Sequence, residues 1–511
     1  MNEQLRHSIQ LRQIRLYMLG LFIGVVATIT VDMRSAEAVP AFARKYDATC
    51  NQCHTRQPRL NVYGQQFMEN GYQLPGTQDG GTTEKHLLGT PLDGIRLGDI
   101  NNFMAVRLRG EVLKADFREE TEATNDVDIV FPSVINLFFA GTATKNISFF
   151  LEGEYAPGEH EGAAFEFERA MLIFSNLAGD SLGYQSLNFK IGSFDPSSMY
   201  SFPTHRQQLN PISPDAHTDD FPPEINRIPI LPLAFSSKMF GLTNGPESEG
   251  GEDFSILPFE PYLFNSPAET GVTIYGRPFG QRFLYQIGAT QQETAEDEPD
   301  TRWDSYVMLR YDVLQGDYSA LQVSGFYYAA PNAARATLNP AGEPIFSTNT
   351  LDWNRWGVGV RWQYKYFDVY GTVIWDEIDE PSFDGMASMS EWDTKAMGVS
   401  LEADWLVSSK WFVGVRYDFM DPGGLKKLPP ALQKEDPIIN QKASFIGLIG
   451  KYYPTPNIGL YARVHVNLKG SVKLPEALSG GGHGDEEHHG GVQHPARNLK
   501  SMFTIGVDMA F

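Results

Sequence analysis

The sequence predicts an all-β transmembrane barrel of about sixteen antiparallel strands, and three observations predict it. Many stretches alternate large apolar with polar residues at period two. Long polar connections alternate with tight turns. The final residues, "SMFTIGVDMAF", keep the period up to a terminal Phe511. Ahead of this β-rich region lies a short helical segment with a cysteine motif of its own. The chain therefore divides into a leader over 1–38, a small segment over 39–90 and the barrel over 91–511.

The leader comes first. Arg6, Arg12 and Arg15 precede the apolar run "LYMLGLFIGVVATITV", and "SAEAVP" follows. A basic region, an apolar region and an A-x-A site read as a secretory signal peptide with cleavage after Ala38. The mature chain then carries an even larger acidic excess than the 63 acidic against 41 basic residues of the whole, a net charge of −22. Such acidity excludes nucleic acid as a partner and favours cations or basic surfaces.

The small segment holds "ATCNQCHTR", with Cys50, Cys53 and His54, and these are the chain's 2 cysteines. A zinc site needs four ligands, and two thiols with one adjacent imidazole fall short. A C-x-x-C disulfide closes a tiny loop and has no use for His54. Covalent haem uses all three residues: the thiols add to the porphyrin vinyl groups and the imidazole ligates the iron. The expected cofactor is one haem c. Beyond it, Leu60, Tyr63 and Phe67 stand at helical spacing, with Gly71 as a C-terminal stop. Met68 on that helix is a candidate sixth ligand, which would raise the potential; it could equally pack against the haem edge. His86 lies further on. Some fifty residues are little cover for a haem, so another part of the chain is expected to complete the pocket.

The barrel is read from its alternation. In "WGVGVRWQYKY", Trp356, Val358, Val360, Trp362 and Tyr364 share one face, while Arg361, Gln363 and Lys365 share the other. In "WFVGVRYDF", Val413, Val415 and Tyr417 oppose Arg416 and Asp418. In "IGLYARVHVNLK", Leu460, Val464 and Val466 oppose Tyr461, Arg463 and His465. Aromatics near strand ends on the apolar face resemble the girdle of a membrane barrel, and the charged face suits a wet lumen. The inward cations Arg361, Lys365, Arg416 and Arg463 read as ordinary lumen charges or as partners for haem propionates. Long connections are expected near 116–129, 196–269, 291–302, 331–352, 376–393, 420–441 and 469–497. Short turns fall at 314–317, 406–410 and 453–457. Prolines throughout 196–269 argue against hidden strands there, which sets the count at sixteen rather than eighteen. Long loops outside and short turns in the periplasm are the pattern of the outer membrane.

The loop "GGGHGDEEHHGGVQHP" gathers His483, His488, His489 and His494 with three acids. It reads as a collector of metal ions or as a flexible polar tip without fixed geometry. Acidic runs such as "ETAEDEPDTRWD" recur in other long connections and would concentrate divalent cations.

"VPAFARKYDATCNQCH", followed by "LNVYGQQFMENGY" and a porin-like barrel, resembles the outer-membrane cytochrome–porin fusions of iron-oxidising bacteria. The carrying residues are Pro40, Phe42, Ala43, Arg44 and Lys45, then Cys50, Cys53 and His54. Many members have Thr followed by Gly or Asn where this chain has Tyr46 and Asp47. The resemblance implies one c-type haem at the N-terminus of a barrel and oxidation of ferrous iron at the cell surface. It further implies partners: extracellular Fe(II), a periplasmic electron carrier such as a soluble cytochrome, and the lipid of the outer membrane. Outward electron flow to an external acceptor, and a diffusion porin with a structural haem, are the competing readings.

Overall fold

In the computed structural model of the chain, the described residues are 41–46, 48–56, 59–75, 103–117, 128–155, 165–196, 269–278, 281–291, 303–316, 319–338, 344–378, 395–421, 443–468 and 499–511. The leader, His86 and the cluster His483, His488, His489 and His494 lie outside them.

Sixteen antiparallel strands close into a barrel, from Met104–Phe117 round to Leu499–Ala510, each paired with its chain neighbours. The first and last strands seal it: Ile505 pairs with Val112 and Ala510 with Arg107, and Val106 and Phe511 exchange backbone hydrogen bonds of 2.9 and 2.8 Å. Closure satisfies every ladder and leaves no edge.

The two faces separate as the alternation requires. Val358, Val360 and Trp362 are 52%, 48% and 45% exposed, whereas Arg361 between them is 4% exposed. An apolar exterior around a charged interior is the reverse of a soluble sandwich, and it is what a lipid-facing barrel needs. Aromatics band the outside at the short-turn end. Phe367 stacks on Trp405 at 5.6 Å, Trp362 on Tyr364 at 6.1 Å, and Trp411 meets Tyr452 at 4.8 Å. The chain is an outer-membrane barrel.

Inside the barrel, the wall charges are paired with one another. Arg361 binds Asp368, Arg416 binds Asp418, Arg463 binds Glu111, and Arg169 bridges Glu152 and Asp195. Three of the four cations expected to face the lumen do so and hold wall carboxylates. Lys365 does not belong to the wall: it occupies the turn between Trp362–Tyr364 and Phe367, exposed and with φ of 50°.

The expected connection over 331–352 is also corrected. The strands Ser319–Leu338 and Pro344–Tyr364 continue through most of it, still paired from Arg335↔Ser347 to Leu338↔Pro344. Register shifts flanking Ala333 absorb the irregular residues around Pro331, so the ladder resumes beyond them.

The N-terminal segment forms α1 (Ala41–Tyr46), α2 (Cys50–Cys53), β1 (His54–Arg56), β2 (Arg59–Leu60) and α3 (Val62–Glu69). Leu60, expected on the helix, pairs in β2 with His54 instead. Asn61 caps α3, its side chain accepting from Gly64 N at 2.8 Å. Gly71 ends the helical course with φ of 68°, the left-handed stop expected of glycine.

Candidate functional site

Residues 41–75 are a plug inside the short-turn mouth of the barrel, and their polar ties show the depth. Arg44 donates to Met104 O (2.8 Å), Gln73 to Lys145 O (3.1 Å), and Ser148 Oγ to Gly71 O (2.6 Å). On the far side, Tyr275 OH donates to Glu69 O (3.0 Å) and Arg361 to Leu60 O (2.9 Å). Each wall partner lies within a few residues of a short turn. The wall thus encloses residues 41–75 from several sides.

Two buried charges lock the plug at two separate places on the wall. Arg59, 0% exposed, reaches Asp404, Glu402 and Tyr370. Glu69 receives Arg277 Nε and Arg310 Nη2, each at 2.6 Å, while Arg277 also holds Asp312 at 2.9 Å. Buried charges of this kind persist only when paired and hydrogen-bonded. An aromatic stack covers a third side. Phe42 stacks on Tyr72 at 5.4 Å, and Tyr72 stacks on Phe150 of the wall at 5.4 Å.

The motif occupies a single helical turn. Cys50 and Cys53 form no disulfide and are half-buried. Burial, and then the neighbouring Cys50, push the Cys53 thiol up to about 11. A thiol that stays protonated at neutral pH is unlike the acidified pair of a thiol–disulfide exchanger. Packing fixes the turn tightly. Asn61 N donates to Cys53 O (2.9 Å), Asn61 Nδ2 donates to Gln52 O (2.9 Å), and a Cβ at Gly64 would fall on the Cys53 carbonyl.

His54 opens onto a cavity of about 900 Å³ between the plug and the turns around it. Tyr63 and Gln66 of α3 line one side; Tyr275, Arg277 and Phe367 line the other. That volume lies at the upper end of sites for small molecules and cofactors. Arg277 supplies the chemistry of a carboxylate site: it is 5% exposed, and its Nη2 has no hydrogen-bond partner among the described residues. Of the groups a haem would need, the cavity lining offers the His54 imidazole for an iron and the Arg277 guanidinium for a propionate, whereas Cys50 and Cys53, on the helical turn just before His54, do not line it. Met68 is half-buried on α3, and it does not line the cavity that His54 enters.

Sequence reasoning missed Arg59, Glu69, Arg277 and Arg310. Nothing local marks them, because each pair meets across more than 200 residues.

No family model and no curated protein matches the chain. Among solved structures, it is similar to an anion-selective porin from Comamonas acidovorans, with a TM-score of 0.44 and 14% identity over 80% of this chain and 98% of that one. The trimer form of OmpT of Vibrio cholerae scores 0.43 at 10% identity, covering 80% and 98%. Salmonella typhi OmpF in complex with daunomycin scores 0.42 at 10% identity, covering 80% and 97%. The assignment as a membrane barrel rests on this chain's own strand order and outer face.

Proposed function

We propose that the protein is an outer-membrane c-type cytochrome that moves electrons across the outer membrane, oxidising extracellular Fe(II) and passing the electrons to a periplasmic carrier. The observation that carries the reading is the C-x-x-C-H turn of a plug whose histidine opens onto a cavity that Arg277 also lines. In this reading Cys50 and Cys53 attach one haem c, His54 ligates the iron, and Arg277 binds a propionate. The haem supplies a one-electron couple. Each Fe(II) gives up one electron and leaves as Fe(III), and the electron ends on a one-electron carrier.

The protein's own residues set the conditions for that transfer. The plug fills the mouth, so the cavity sits at the short-turn end, about 25 Å of apolar band below the long connections. Fe(II) therefore enters the lumen to approach the site, or the electron crosses that height through intermediate groups. The acidic long connections raise the local concentration of a divalent cation at the entrance. Met68 as a sixth ligand requires α3 to turn it toward His54, and the metal-gathering role of His483, His488, His489 and His494 is part of the same proposal.

The two plug locks narrow the short-turn mouth, and the barrel fold itself suits the diffusion-porin alternative as well. The test is single turnover. Oxidised protein in detergent should be reduced by Fe(II) without another factor, and its haem should survive acid-acetone extraction unless Cys50→Ala/Cys53→Ala is present. A haem that washes out ends the attachment claim. One that stays oxidised under excess Fe(II), yet accepts electrons from a stronger donor, ends the iron claim and favours outward flow.

A further inference from the structure

The two ends of the barrel carry opposite charge. By sequence, the eight long connections between strands hold 33 acidic and 12 basic residues. The seven short turns hold five basic and two acidic residues, and residues 41–75 hold four basic and two acidic. A chain of net charge −22 thus presents a basic periplasmic end. Arg277 is buried against Glu69, but Lys145, Arg282, Lys365 and Lys410 are exposed on four separate turns.

One of these four lines the cavity, Lys365; Arg282 and Lys410 are on turns whose neighbouring residues Gln281 and Phe412 line it. The plug surface is exposed between them at Thr49 and Gln52, on either side of Cys50. Arg44 and Lys45 add two more cations, and these belong to the plug rather than the rim: Lys45 Nζ reaches Thr142 on the inner wall at 3.3 Å.

We propose that this face is the docking surface for an acidic soluble protein, the periplasmic electron carrier of the reading above, on which the proposal rests. Complementary charge raises the encounter rate and orients the partner, and the four cations are distributed round the rim, each acting over a Debye length of roughly 8–10 Å on a partner wide enough to meet several of them. The ring surrounds the plug, and Lys365 borders the cavity, so a partner held by it lies over the site from which, in that reading, the electron leaves. A basic carrier would be drawn to the opposite, acidic end, outside the cell. Anionic phospholipid headgroups also attract cations, but they reach only the outer circumference and not Arg44 or Lys45 within the strand ring.

The full-length protein in nanodiscs of zwitterionic lipid tests this with two probes, a small acidic c-type cytochrome and a small basic one. The acidic probe should bind, and its affinity should fall about tenfold in R282E/K365E/K410E. The basic probe should bind with an affinity that those changes leave alone. Raising salt on the unaltered protein should weaken the acidic probe in the same direction, which guards against a variant that assembles poorly. Acidic-probe affinity that ignores both salt and the triple reversal overturns the proposal. So does a reversal whose only effect is on retention of phosphatidylglycerol, which would make the ring a lipid anchor. Binding is read without electron transfer, and Cys50→Ala/Cys53→Ala should keep it. Unaltered protein that carries no haem yet binds the acidic probe would refute the cytochrome reading and leave the docking face standing.

Discussion

A methyl group on residue 64 would land on the carbonyl oxygen of Cys53, so Gly64 is what lets α3 lie against the cysteine turn. That contact ties the helix to the motif as closely as the Asn61 hydrogen bonds do. Gly64→Ala should force the two apart by overpacking, at about 1–3 kcal/mol. The expected outcome is a lower haem-to-protein ratio in pyridine haemochrome assays and a lower melting temperature. Gly450→Ala is the control, since a Cβ there meets nothing within 4 Å. Equal haem content in the two variants would show that the approach does not matter. The motif itself was legible because Cys50, Cys53 and His54 are local in sequence. Arg277 was not, since its meaning depends on Glu69 and Asp312 meeting it in the folded barrel.

At the scale of elements, the barrel strands were legible for a physical reason. Lipid outside and charge inside impose period two on every strand, and each strand carries that record alone. The pairing of 331–338 with 344–351 was hidden, because Pro331 and the Asn339-Pro340 pair look like a loop. Only the neighbouring ladder reveals that the strand resumes. The plug was legible as helices but not as a plug, because its fit depends on α3 presenting Glu69 to two arginines of the wall. Glu69→Ala would leave Arg277 and Arg310 buried side by side with Asp312 alone between them. Breaking a buried pair costs about 3–5 kcal/mol, which loosens the plug. Planar-bilayer recordings should then show larger or more frequent openings than the unaltered protein, with Arg59→Ala acting in the same direction through the other lock. Silent membranes in both variants would mean that other contacts hold the plug.

The whole molecule is an electrostatic dipole set across a membrane, acidic where the long connections lie and basic where the plug sits. If the donor is a cation arriving from the acidic side, the dipole must appear in the kinetics. Aquated Fe(II) should reduce the oxidised protein faster at low ionic strength than at high. Its attraction to the loops extends roughly 10 Å at 0.1 M salt and about 3 Å at 1 M. An anionic ferrous chelate should behave oppositely, slow at low salt and faster as its repulsion is screened, so that the two rates converge in concentrated salt. Neutralising Asp485, Glu486 and Glu487 should slow aquated Fe(II) modestly if that loop is one collector among several, and severely if His483, His488, His489 and His494 form a true entry site. Stopped-flow reduction across a salt series reads all of these. Parallel salt curves for the cation and the anionic chelate would remove the loops from the path of the donor. A donor arriving from the periplasmic side would instead meet the basic face, and the anionic chelate would then be the faster reductant at low salt.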